Sequence, residues 1–485
     1  MRLRPLGAGA VLALAAACTG SGSFVSVPGL PSASPSAGPS GGPATCPASQ
    51  AAPDPKRPQI QLRFDVAADL RTVTGTEHVT FTPDRPVTSL VFRLWANGRA
   101  APAGTALRIT SATSGTATRF TVSHVGGSDR NDGSLLELPL GRTSPAGAAV
   151  TADVAFTLTL PVPQFERWRS TGETAFWATG HPILAWERGV GWQREPAVPF
   201  ASEATMSEAA RYDTTVVAPA ARTVLLNGTP AEPRDAGGGR REWSASAPTA
   251  RDVSVAVGTF TTATGKVGDT DIVAALASDA LEGTTAARPD VHQLLDFASR
   301  SVSSEQKMYG TFPFPHYVVV DLPGLSSGGI EYPGMIMVGP DYMRDENDVL
   351  VVAHETGHQY FYAMVGDDQE RDPWLDEAFA TYTESLVTGN APEYEHALAG
   401  SRLPVGEPMS YWSQHGENAY FDTVYMKGAA ALLTARDRAG PARFDRALRC
   451  YVNANAWRVA TPADLERALA GLPEAVKVLK DAGAF

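Results

Sequence analysis

From Gln59 to about Thr262 the chain alternates between apolar and polar residues in short runs. Gln61-Leu62-Arg63-Phe64-Asp65-Val66, Glu77-His78-Val79-Thr80-Phe81 and Ala152-Asp153-Val154-Ala155-Phe156-Thr157-Leu158 are examples. Asp213-Thr214-Thr215-Val216-Val217 and Asp252-Val253-Ser254-Val255-Ala256-Val257 continue the pattern. Successive side chains of a strand point to opposite faces, so period two predicts half-buried strands. Frequent Gly and Pro between the runs predict turns. Residues 59–262 therefore read as an antiparallel β domain. Within it Trp177, Trp186 and Trp192 crowd one region with Phe176 and His181. That cluster predicts core or interdomain packing rather than a ligand cage.

After Ala263 the period lengthens. Leu294, Leu295, Phe297, Ala298 and Val302 recur at helical spacing, so Pro289 to about Tyr309 reads as a helix, with His292 near its start as a surface or interface residue. Tyr317-Val318-Val319-Val320-Asp321-Leu322 reads as a strand. A loop with Gly324, Gly328 and Gly329 leads to a short extended piece, Ile330-Glu331-Tyr332. Two helices follow. One is entered through the mostly apolar Asp348-Val349-Leu350-Val351-Val352-Ala353. The other opens at Pro373 and carries Trp374, Leu375, Ala378, Phe379 and Tyr382 at helical spacing. From Val387 the chain is mostly helical, and Thr461-Pro462-Ala463-Asp464 has a hydroxyl cap, a proline first and an acid third. The whole is a multidomain chain, with an N-terminal antiparallel β domain followed by a mainly α, α+β domain over 263–485. No internal repeat is evident.

The first residues differ from both domains. Met1-Arg2-Leu3-Arg4 is basic, and Gly7 to Ala17 is small or apolar. Such a stretch is an export signal, too short to span a bilayer. Cys18 follows Ala15-Ala16-Ala17, as in a bacterial lipoprotein signal, which makes residues 1–18 a signal peptide with a lipidation cysteine. Ala15 stands where leucine is usual, so simple secretion stays open. Residues 19–58 are Ser, Pro, Gly and Ala with few large apolar side chains, and read as a flexible tether. The expected location is extracellular or at the cell surface. The only membrane contact expected is a lipid at Cys18, and a monomer is expected. Cys46 and Cys450 are left to pair or to stay free. The net charge is -12 with no basic stripe, which argues against nucleic acid as a partner.

His354-Glu355-Thr356-Gly357-His358 carries the chemistry. A helix turns once in about 3.6 residues, so His354 and His358 lie on one face and can grip one metal ion. Glu355, beside the first ligand, can deprotonate a water there. Catalytic zinc usually keeps three protein ligands and one water. Glu377 is the candidate third ligand, a carboxylate among apolar neighbours that is costly unless it is paired or bound. The plain alternative makes Glu377 solvent-facing and both histidines ordinary polar residues. It requires two helices each to mimic half of a site.

With these residues in place the chain resembles the M1 family of zinc aminopeptidases, the gluzincin group of aminopeptidase N and leukotriene A4 hydrolase. Its motif is the His-Glu-x-x-His frame with a glutamate after a gap of eighteen residues, as between His358 and Glu377. A second signature, Gly-x-Met-Glu-Asn on an edge strand, is matched by Gly328-Gly329-Ile330-Glu331-Tyr332, with Ile330 for methionine and Tyr332 for asparagine. The family's catalytic tyrosine stands one residue before Lys-Gly, as in Tyr425-Met426-Lys427-Gly428. Tyr309-Gly310-Thr311-Phe312-Pro313-Phe314-Pro315 and much of the β domain also correspond.

The resemblance implies a thermolysin-like zinc peptidase domain and one catalytic Zn2+ held by His354, His358 and Glu377. It implies Glu355 as general base and Tyr425 as donor to the oxyanion. Glu331 would bind the substrate's free α-amine, and Gly328, Gly329 and Ile330 would align its backbone. Lys427 is expected to be a surface or packing lysine rather than a catalyst. The implied activity is removal of N-terminal residues from peptides with a free N-terminus. The large C-terminal helical domain of long aminopeptidase N proteins is not expected. Read without the family, Tyr425 could equally be a core tyrosine and Glu331 a solvated loop acid. Two other functions stay open: a metallopeptidase of the same fold without strict N-terminal preference, and an inactive surface binding protein.

Overall fold

The computed structural model describes residues 46–99, 101–125, 133–163, 165, 167–194, 207–280, 290–325, 328–339 and 348–485. The signal segment and Cys18 lie outside the described residues.

The alternation is reproduced in the first strand. Along Gln59–Val66, Ile60, Leu62, Phe64 and Val66 are buried while Gln59, Gln61 and Arg63 face out. An eight-stranded sheet forms around it, running Arg240–Ala250, Ala210–Pro219, Gln59–Val66, Thr72–Phe81, Val150–Thr159, Ala106–Thr113 across its main part. One pairing departs from the antiparallel expectation: Gln59–Val66 runs parallel to Ala210–Pro219. No short turn joins these strands, so no hairpin dictates their direction. Four-stranded sheets close the core from the other side, among them Thr223–Leu226, Ser254–Gly258, Ala175–Ala178 and Trp168–Ser170. The tryptophans pack as expected. Trp186 lies 4.7 Å from Trp192 and 5.4 Å from Phe81, ring centre to ring centre. His181 is buried and neutral, burial holding its pKa down at about 3. Phe176 turns the other way, into a cluster with Val318, Val320, Ile330 and Met337 that joins the β domain to the next sheet.

Glu77 breaks the hydrophobic row of its strand. It is 1% exposed, and neither carboxylate oxygen has a hydrogen-bond partner among the described residues. Burial pushes its pKa well above the usual range, and Asp252 reinforces the shift. The folded state thus favours the neutral acid. Its contribution to stability is present below the unfolded pKa and is lost as pH rises through the folded one. Glu77→Gln removes this penalty without changing shape. We expect it to raise Tm by roughly 2–4 °C at pH 8, as about 1 kcal/mol does in a domain of 150–250 residues, with little change at pH 4. Thermal melts at both pH values check this, and an equal shift at the two would refute it.

The second domain is built on a five-stranded sheet in the order Phe260–Val267, Thr270–Ala277, His316–Asp321, Met335–Val338, Gly329–Tyr332. It begins at Phe260, slightly before the boundary expected at 262. Helix α1, Val291–Tyr309, starts at a capping box between Asp290 and Gln293 and buries Leu294, Ala298 and Val302, with His292 exposed. Helices α2, Asp348–Gly357, and α3, Trp374–Thr388, follow. Later helices include Gly428–Ala439, Pro441–Asn455, Pro462–Ala468 and Pro473–Asp481, the third opened by the expected Thr461–Asp464 box. Among the described residues no helix is long and apolar enough to cross a membrane.

The tether expectation over 19–58 needs correction at its end. Cys46 and Cys450 form a disulfide. Ala51 N–H donates to Asn453 O at 2.8 Å, and Gln50 Nε2 to Thr311 O at 2.7 Å. The segment from Cys46 is therefore fastened to the helical domain. Its composition lacks core-forming residues, and the fastening comes instead from one covalent bond and hydrogen bonds to backbone carbonyls.

Candidate metal centre

Helix α2 carries His354 and Glu355 and ends at Gly357. His358 lies one residue beyond, yet its N–H still points to His354 O at 3.4 Å, so the turn continues. The two imidazole centres are 4.8 Å apart. A Cβ on Gly357 would stand 3.2 Å from Thr383 and 3.3 Å from Ala380 of α3. That close approach brings Glu377, 2% exposed, against the histidines. His354 Nε2 is 3.2 Å and His358 Nε2 3.5 Å from the same oxygen, Glu377 Oε2.

The opposite ring nitrogens are also taken. His358 Nδ1 meets Asp376 Oδ1 at 2.5 Å, and His354 Nδ1 meets Glu384 Oε2 at 3.3 Å. Gln369 Nε2 donates to Asp376 Oδ2 at 2.8 Å, and Tyr394 hydroxyl to Glu384 Oε1 at 2.6 Å. Such carboxylates hold the proton on Nδ1 and leave Nε2 to bind a cation. Sequence reasoning missed Asp376 and Glu384. A signal existed: both are acids on the same largely apolar helix as Glu377.

Electrostatics agree with a divalent ion. Burial opposes charge on His354, but Glu377 and Glu384 outweigh it and hold its pKa at about 10. Burial likewise opposes charge on His358, and Asp376 with Glu377 raises it well above the usual value. Burial acts to raise Glu377, yet the two histidines keep it well below the ordinary carboxylate range. The carboxylates thus demand positive charge at the two Nε2 atoms, which a metal ion can supply. Two imidazoles and one carboxylate, with donor atoms within 4.8 Å of one another, fit the three-ligand pattern of catalytic zinc.

Glu355 is buried beside this triad. Burial pushes its pKa up to about 7, the two histidines pulling the other way. Its Oε2 has no hydrogen-bond partner among the described residues. Gly329 makes room for it, since a Cβ there would come within 2.4 Å of Glu355 Oε1. Glu331 stands on Gly329–Tyr332, the last strand in the sheet order. Donor atoms of Glu331, Glu355 and His358 also lie within 4.8 Å of one another. Burial pushes the Glu331 carboxyl up to about 8, with His358 opposing. Ile330 points into the core, and Gly328 O accepts from Gly339 N–H at 3.0 Å. Gly329 and Ile330 lie on the outer strand, and Gly328 stands one residue before it.

Tyr425 lies in a π-helical turn, Phe421–Lys427. Such turns are frequent at functional sites. Its ring stacks on His354, centres 5.8 Å apart and planes 5° from parallel. Lys427 is buried and donates to Leu403 O at 2.6 Å, the packing rather than the surface alternative. Gly428 is required by contact, because a Cβ there would stand 2.5 Å from that of Ala378 on α3.

The Peptidase family M1 domain profile matches residues 295–481. Aminopeptidase M1-D of Oryza sativa subsp. japonica is 26% identical over 196 residues, 35% of this chain and 22% of that protein. Aminopeptidase N of Lactobacillus delbrueckii subsp. lactis is 27% identical over 202 residues, 36% of this chain and 24% of that protein. The chain thus spans less than a quarter of the length of these curated relatives. The M1 zinc metallopeptidase of Deinococcus radiodurans superposes with a TM-score of 0.65 at 18% identity, over 88% of this chain and 92% of that one. At that identity the likeness speaks for the two-domain fold: a β-rich N-terminal region followed by a mainly helical part.

Proposed function

We propose that this chain, which carries a peptidase family M1 domain over residues 295–481, is a zinc-dependent aminopeptidase acting on peptides with a free N-terminus. One observation carries the reading. Two histidine Nε2 atoms converge on one Glu377 oxygen while both Nδ1 atoms are held by carboxylates.

His354, His358 and Glu377 would hold one Zn2+, which supplies Lewis acidity toward a peptide carbonyl and the attacking water. Glu355 accepts the proton of that water and delivers it to the leaving amine. Its unpartnered Oε2 is available for that transfer. Tyr425 donates its hydroxyl to the oxygen on which charge develops. Glu331 accepts N–H bonds from the substrate's α-ammonium, which brings a cation to a carboxyl that burial otherwise keeps neutral. An amine anchor at fixed distance from the reacting bond limits cleavage to the first residue. The same-fold peptidase without strict N-terminal preference is the second reading, favoured by Tyr332 in place of the family's asparagine.

Chelation is expected to abolish hydrolysis of an aminoacyl chromogenic amide, and zinc add-back to restore it. A verified metal-free preparation that keeps its activity would overturn the proposal.

A further inference from the structure

Glu331 is held from the catalytic domain and also from the β domain. Two residues after it the chain turns at Pro333-Gly334, with Gly334 at φ +75°. From the zinc-helix side, Gln359 Oε1 accepts from Gly334 N–H at 2.8 Å and its Nε2 donates to Tyr332 O at 3.2 Å. From the opposite side comes Asn227, at the end of Thr223–Leu226 in the β domain. Its Nδ2 donates to Pro333 O and to Asp252 O, both at 2.9 Å. Its Oδ1 accepts from Ser254 N–H at 3.1 Å. The amide orientation is unambiguous, because both partners of Nδ2 are carbonyls and the partner of Oδ1 is an N–H. An aspartate could not replace it, having no proton for either carbonyl when ionised.

The neighbouring Arg251 grips the other side of the site. It is buried, and its guanidinium donates to Tyr362 O and Arg458 O, each at 2.8 Å. Tyr362 lies on the loop just after His358, at the unusual φ of +102°. The corner Arg251-Asp252 thus reaches the loop that follows the histidines directly, and the hairpin carrying Glu331 through Asn227. Both halves of the site are thus tied to one corner of the β domain.

We infer that Asn227 is a positioning residue for amine recognition, setting through Pro333 where Glu331 stands relative to His354 and His358. The inference rests on the amine-anchor reading of Glu331. A carboxylate displaced by a fraction of an ångström loses its match to an ammonium whose peptide bond must reach the metal side. Asn227 is buried with its amide committed to Pro333, Asp252 and Ser254, so its loss should act through Glu331 on binding of the free amine and leave blocked peptides untouched. A bond that served only the fold would affect both substrates alike.

The test compares wild type, Asn227→Ala, Asn227→Ser and Glu331→Gln, each zinc-loaded, with zinc content and Tm measured. Kinetics are run on a tripeptide and its N-acetyl counterpart. For Asn227→Ala, KM for the free tripeptide should rise about tenfold with kcat changed less than about threefold, and preference over the acetylated peptide should fall by the same factor. Asn227→Ser, which keeps one donor, should lie between, and it decides the matter alone if the alanine variant does not fold. Unchanged preference in a folded, zinc-loaded Asn227 variant overturns the inference when Glu331→Gln has lost preference. So does an equal loss on both peptides. If Glu331→Gln itself keeps the wild-type preference, the amine anchor falls, and this inference with it.

Discussion

Glu355→Gln should lower kcat roughly a thousandfold to ten-thousandfold, near the upper range of general acid–base contributions, while zinc content stays at the wild-type level. The amide matches the carboxylate in shape and fits the space Gly329 leaves beside Glu355 Oε1. It cannot accept the water's proton. Glu355 is not one of the three proposed ligands, since the two Nε2 atoms converge on Glu377 rather than on Glu355, so the ion should remain. Activity within about tenfold of wild type, with zinc confirmed bound, would remove Glu355 from the mechanism.

Tyr425→Phe should lower kcat by roughly two to three orders of magnitude with little change in KM, the signature of a donor used in the transition state. The substitution deletes one oxygen and leaves the ring stacked on His354, whose plane it parallels within 5°. Zinc content and Tm should hold. A loss confined to KM would make the hydroxyl a ground-state binding group, and a loss under about threefold would return Tyr425 to packing.

Local signals were legible in the sequence, and long-range ones were not. His354 and His358 declare themselves because helical pitch converts a spacing of four into a shared face. Glu377 stands out as a carboxylate in apolar surroundings. The same logic extends to Asp376 and Glu384, yet nothing local tells a metal ligand from the acid that orients one. That distinction depends on which ring nitrogen each meets, and so on the approach of α2 to α3 over Gly357. Alternation located the strands, but it carries no information on partners. The parallel pairing of Gln59–Val66 with Ala210–Pro219 and the bond from Asn227 to Pro333 both join distant segments. Glu77 shows a further limit: period two assigns it to the inner face, and only the packed structure reveals a carboxyl there without a hydrogen-bond partner among the described residues.

The bond between Cys46 and Cys450 joins residues 404 apart in sequence. It turns nearly the whole folded chain into a closed loop. A protease that cuts one surface turn within that loop yields two fragments that still travel as a single particle until a reductant is added. During synthesis the clasp cannot close until Cys450 has emerged, so the N-terminal segment stays loose while both domains are being made. Its fastening then waits on the helix Pro441–Asn455 that carries Cys450.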